Sequence, residues 1–182
     1  MYKTEIGKYY NSNLLESFLS RNNDAYNSAI NQKKEFNENW KTIVNFYKSI
    51  GYARDVSNAS HLQTNSLIIG VDKIREGIIL NISFLPKYFG IYFYHQDLIA
   101  TIPIIDKFGK ENTHLSFFPF NRQQEDFSRN VLDYISTYLP DFSVFNNIYA
   151  NSKISNVIID GTIPIETNFF QVIFEDNMYT IF

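Results

Sequence analysis

The chain has 182 residues and a formal net charge of −3, which lacks the basic footprint of a general nucleic-acid binder. It contains no cysteine, which excludes a disulfide framework, a thiolate nucleophile and a cysteine metal site, and which fits a reducing compartment. One domain spanning 1–182 is expected, large enough to bury a core without disulfides or metals.

Aromatic residues make up 17% of the chain, with 17 Phe and 13 Tyr against a single Trp. Lys, Asn, Ile, Tyr and Phe have AT-rich codons, so the composition points to an AT-rich bacterial genome. The opening MYKTEIGKYYNSN lacks the apolar core of a signal peptide. No apolar run approaches the roughly 20 residues of a membrane-spanning helix. A cytoplasmic protein without membrane contact is expected.

Residues 1–12 are polar and tyrosine-rich, with no clear period. Asn13 with Glu16 three residues on resembles a capping box and opens a first helix. Its stripe runs from Leu14, Leu15, Phe18 and Leu19 to Ala29 and Ile30, with a break at Arg21-Asn22-Asn23. A second helix over 35–50 places Phe36, Trp40, Ile43, Val44, Tyr47 and Ile50 on one face. Gly51 then offers a left-handed cap. Joined near Asn31, the two form an N-terminal helix pair. Residues 52–65 are rich in turn formers and read as a long loop.

Strand periodicity dominates the centre. Residues 66–71 form a short apolar strand. Ile78, Leu80, Ile82 and Phe84 then fall on one face and Asn81 and Ser83 on the other. Pro86-Lys87 supplies a turn. Beyond it Phe89, Ile91 and Phe93 alternate with Gly90, Tyr92 and Tyr94. After His95-Gln96-Asp97 a third strand covers 98–105, and another covers 113–118. The breaks are too short for helical crossovers, so an antiparallel meander is the economical arrangement.

Asn121 caps a third helix over 121–139, with Gln124 as the reciprocal partner, an apolar face from Phe127 to Leu139, and Pro140 as its stop. Residues 141–149 hold a further short helical turn, and 156–160 read as a strand. The chain closes on a hairpin of 168–175 against 178–182. Strands that follow one another without intervening helices give an α+β fold. Its largely antiparallel sheet has about five to seven strands, with the helix pair and the 121–139 helix covering one face.

Chemistry is harder to find. His61, His95 and His114 lack metal-ligand spacing, and no GxSxG, GxxxxGK[ST] or GxGxxG occurs. Asp72 and Asp160 each follow an apolar strand, the placement from which a two-metal hydrolase draws its carboxylates. IIGVD resembles the first strand of ribonuclease-H-like enzymes, which would imply a metal-dependent nuclease. Aspartate after a strand is equally an ordinary turn residue. No catalytic, cofactor or metal residue is therefore assigned.

The stronger expectation is binding. Tyr92 and Tyr94 share a strand face that is either exposed or lies under a helix, and exposed tyrosine suits protein contacts. Asp55, Asp97, Asp106, Glu111, Glu125 and Asp126 would complement a basic partner. Tyr92, Tyr94, His95, Asp97, Asp106 and Glu111 are thus the candidate contact residues. In size, acidity and lack of cysteine or catalytic motif the chain resembles immunity proteins that neutralise bacterial toxins. That resemblance implies occlusion of a basic protein partner. The alternatives are the metal-dependent hydrolase and a small-ligand binder with an aromatic-lined pocket.

Overall fold

A computed structural model describes residues 24–57, 64–72, 75–85, 87–96, 113–151, 153–154 and 167–174. The fold is α+β, with helices flanking a mostly antiparallel six-stranded sheet.

Helix α1 (Asp24–Glu35) and helix α2 (Asn37–Ile50) form the N-terminal pair. The joint expected near Asn31 lies instead at Phe36. Nothing in the polar run around Asn31 breaks the helix. Phe36 N donates to Gln32 O and Trp40 N to Phe36 O, both at 2.9 Å, so hydrogen bonding continues through the joint. The expected start at Asn13, with Glu16, lies outside the described residues. In α2 the buried residues Trp40, Ile43, Val44 and Tyr47 fall at helical spacing. Gly51 caps it by donating to Tyr47 O, but with a φ of 177° its backbone is extended and not left-handed.

The sheet follows. Its strands are β1 (Ala53–Asp55), β2 (Thr64–Asp72), β3 (Glu76–Phe84), β4 (Lys87–Gln96) and β5 (Thr113–Ser116), ordered as in sequence, and β6 (Ser143–Val144) pairs with β4 in parallel. The segment read as one long loop over 52–65 therefore holds a strand, since Ala53 to Asp55 pair with Ile69 to Leu67, and β2 begins at Thr64. The strands expected at 98–105 and 156–160 lie outside the described residues.

Helix α3 (Arg122–Ser136) has the expected cap, with Gln124 N donating to Asn121 Oδ1 at 2.9 Å. A 3₁₀ turn (Asn147–Tyr149) follows β6. Strand β7 (Lys153–Ile154) then pairs with β8 (Thr167–Asn168), and helix α4 (Phe169–Phe174) comes next. The hairpin strand expected over 168–175 is thus mostly a helix. Phe170, Ile173 and Phe174 are buried, and their spacing suits one helical face, so packing overrides the β-propensity of an aromatic run. Residues 175–182 lie outside the described residues.

Each sheet face carries its own core. Leu67, Ile69, Ile78, Leu80, Ile82, Phe89, Ile91 and Phe93 pack against α1, α2 and α3. Ile68, Ile79, Tyr92 and Tyr94 pack on the opposite face against Phe117, Phe145, Tyr149, Phe170, Ile173 and Phe174. The period-two alternation read in β3 and β4 is therefore the partition between two cores.

Candidate functional site

Tyr92 and Tyr94 are 0% and 1% exposed. Phe170 lies edge-on to Tyr92 at 5.5 Å, and Phe117 lies at 6.4 Å. Burial pushes the Tyr94 phenol well above its ordinary pKa, with smaller contributions from Tyr52 and Glu76. The tyrosine face is a second core, so these two residues cannot contact a partner. Helix α4, from a segment expected to be a strand, supplies part of the cover, with Phe117, Phe145 and Tyr149.

His95 is half-buried at the end of β4, its ring 5.8 Å from that of Phe120. Strand register sets it opposite Glu76 on one side and His114 on the other. Asp97, Asp106, Glu111 and Asp160 lie outside the described residues. Asp72 ends β2 as expected, opposite Glu76. Among the described residues no three His, Asp or Glu are placed to hold a metal ion. The remaining acidic candidates are engaged locally. Asp55 accepts from Trp40 Nε1 at 2.9 Å and from Ser57 N at 3.0 Å. Glu125 and Asp126 pair with Arg129 along α3.

The loop between β5 and α3 is the feature that sequence reading missed. It reads Phe117-Phe118-Pro119-Phe120; Phe117 is buried, while Phe118 and Phe120 are 54% and 44% exposed. Three side chains hold its backbone. Phe118 N donates to Ser116 Oγ at 3.0 Å, Phe120 N donates to Gln124 Oε1 at 2.9 Å, and Asn147 Nδ2 donates to Phe117 O at 2.8 Å. Asn147 Nδ2 also donates to Ile91 O at 2.7 Å. It thus closes the stretch of the β4 edge between its pairings with β6 and β5. The same turn carries Ile148, 66% exposed, next to the residue that bonds Phe117. Two exposed phenylalanines and an isoleucine therefore project from clamped backbone. The sequence signal was the apolar run FFPF before a helix cap, which reads equally well as the tail of a buried strand.

Gln124 anchors this arrangement. It is 0% exposed. Its Oε1 takes Phe120 N and not the Asn121 N of a reciprocal capping box. Its Nε2 donates to Tyr94 O at 3.0 Å and Gly77 O at 3.3 Å, residues paired across β3 and β4.

At the other end of the β3–β4 hairpin, a groove of about 270 Å³ opens between the α1–α2 joint and the segment after α3. Glu35, Phe36, Phe84, Lys87, Asp141 and Phe142 line it. Phe84 packs on both Phe36 and Phe142, with ring centroids 5.6 and 5.5 Å apart.

No helix among the described residues is long and apolar enough to cross a membrane. Compared with protein-family models, with curated proteins and with solved structures, the chain matches none.

Proposed function

We infer that this is a single-domain bacterial protein of the cytoplasm that binds another protein and inhibits it by covering it, as toxin-neutralising immunity proteins do. The observation that carries the reading is the clamped loop that holds Phe118 and Phe120 in solvent. Exposing large apolar side chains costs about 25 cal/mol for each Å² left in water, and an ordered backbone cannot fold them away. Apolar anchors on a pre-ordered loop lose little entropy on binding, which is how a small contact reaches high affinity. Phe118, Phe120 and Ile148 would form the apolar centre of the contact, with His95 beside Phe120 at its edge. Tyr92 and Tyr94 take no part. The partner's basic character rests on the net charge of −3.

The test is affinity capture from the native cell with the wild-type chain and with the Phe118→Ser, Phe120→Ser double variant. A stoichiometric partner held by the wild type and lost by the double variant supports the reading. Equal capture by both, or capture of nothing by the wild type, overturns it.

A further inference from the structure

The groove at the β3–β4 turn has a chemistry unlike that of the phenylalanine loop. Lys87 opens β4 and His95 is its next-to-last residue, roughly 26 Å away at strand rise. The groove is therefore a separate site, and its role is independent of the protein-inhibition reading. Its floor is aromatic, formed by the buried rings of Phe36 and Phe84 and the half-buried ring of Phe142. Its rim carries two exposed carboxylates, Glu35 and Asp141. Neither takes a hydrogen bond or ion pair from another described residue, whereas Glu38, Glu125 and Asp126 all do. Lys87 places its Nζ 5.9 Å from the centre of the Phe142 ring. The chain's own cation already uses the ring face as a ligand cation would.

We propose that this groove receives one arginine side chain of a basic peptide segment. At about 270 Å³ it falls below the roughly 300–1,000 Å³ of pockets that enclose whole small ligands. It suits a single side chain that enters from a chain passing over the opening. A guanidinium matches the lining better than an ammonium. Its planar face stacks on an aromatic ring while its N–H fork reaches carboxylate oxygens on either side, two contacts that a lysine ammonium cannot make at once. Lys87 then acts against the incoming group, since it covers Phe142 and carries like charge.

The variants therefore have opposite signs. Glu35→Gln and Asp141→Asn each weaken binding by about threefold, the effect of one exposed ion pair. Lys87→Ala strengthens it by a similar factor, because a competing cation over the ring is gone. All three residues are exposed at the surface, so the variants keep the fold. The probe is a blocked Gly-Arg-Gly peptide, compared with its lysine and citrulline counterparts and with free agmatine. Binding is followed through the ring-proton NMR signals of Phe84 and Phe142. Saturable shifts with the arginine peptide that fall in Glu35→Gln and Asp141→Asn and rise in Lys87→Ala support the proposal. Tighter binding of agmatine than of the peptide would make the site one for a free cation and overturn the peptide assignment. Equal shifts with the citrulline peptide, or none with the arginine peptide below about 10 mM, a free energy under 3 kcal/mol, overturn it outright.

Discussion

Gln124→Leu isolates what one buried amide contributes. Leucine keeps the approximate volume, so no cavity term enters. What disappears is a set of hydrogen bonds. Phe120 N loses its acceptor at 2.9 Å, and Tyr94 O and Gly77 O lose the Nε2 donor they share. Each lost bond to a carbonyl is worth about 0.5–1.5 kcal/mol, and an unpaired buried N–H costs about 1–3 kcal/mol. The Phe120 N–H is only partly buried, so its share falls at the low end. The variant should lose about 2–4 kcal/mol of unfolding free energy, or about 5–15 °C of Tm for a chain of this size.

The assay is urea unfolding followed by circular dichroism, with Gln123→Leu on the exposed side of the same turn as control. Gln124→Glu sharpens the comparison, because it places a carboxylate against two carbonyl oxygens. It should be less stable than Gln124→Leu at pH 7. Burial raises the folded pKa of that glutamate above its unfolded value near 4.3, so the stability it supplies is present below that value and lost as pH rises. A loss under about 1 kcal/mol for Gln124→Leu, indistinguishable from Gln123→Leu, would refute the assignment of Gln124 as the anchor between α3 and the β3–β4 pair.

Two other predictions concern the buried interior. Alkaline pH should unfold the protein through its tyrosines. Burial pushes Tyr47 and Tyr94 well above the ordinary value of 10.0 and Tyr134 up to about 12. The stability they supply is whole below pH 10 and is lost as pH rises beyond it. Lys33 opposes this, because burial lowers its pKa from 10.5, so it adds stability as pH approaches that value. The tyrosines dominate by number and by the size of their shifts, and Tyr47→Phe with Tyr94→Phe should raise the alkaline midpoint in a pH titration of unfolding. An unchanged midpoint would refute it. The second prediction ranks two glycines. A Cβ at Gly77 would overlap the Ile69 carbonyl oxygen, whereas one at Gly90 lies 3.1 Å from Phe145 Cβ and from the Phe174 ring. Gly77→Ala should cost about 3 kcal/mol or more and Gly90→Ala about 1 kcal/mol, and the reverse order in urea unfolding would sink the account.

What the sequence disclosed followed from how many readings a segment allows. Helix α2 was legible because Trp40, Ile43, Val44 and Tyr47 fit a helix and no strand face. Helix α3 was legible from Asn121 and Pro140, although the reciprocal half of its cap was wrong, since Gln124 reaches Phe120 and the sheet. Strand β4 disclosed its two faces, Phe against Tyr, but not what covers them. Period two separates faces and says nothing about depth, so Tyr92 and Tyr94 could not be told from surface tyrosines. Helix α4 was illegible because FFQVIF is aromatic and β-branched enough for a strand. Its helical state comes from tertiary packing onto Tyr92 and around Gly90.

The two cores should differ in how easily they open. The first is covered by α1, α2 and α3, of 12, 14 and 15 residues. The second is covered in part by α4, of six residues, which the Phe170 N to Ala150 O bond at 3.2 Å ties back to the chain. Beneath it the sheet is partly polar. Asn81 and Ser83 are fully buried, and Asn81 Nδ2 and Ser83 Oγ find no hydrogen-bond partner among the described residues. Gly90, opposite Asn81 in register, is where Phe174 packs. If α4 lifts, water can reach these two atoms, which recovers about 1–3 kcal/mol for each and offsets much of the apolar area lost with Phe170, Ile173 and Phe174. Native-state hydrogen exchange should therefore show the α4 amides opening several kcal/mol below the global unfolding free energy, while those of β3 and α3 exchange only near it. Replacing Asn81 with leucine removes the unpartnered Nδ2 opposite Gly90, at the loss of the Ser66 Oγ bond to Asn81 Oδ1 at 2.6 Å, and should raise α4 protection toward that of β3. Equal protection of α4 and β3 in the wild type would refute the asymmetry, because the second face would then be held as firmly as the first.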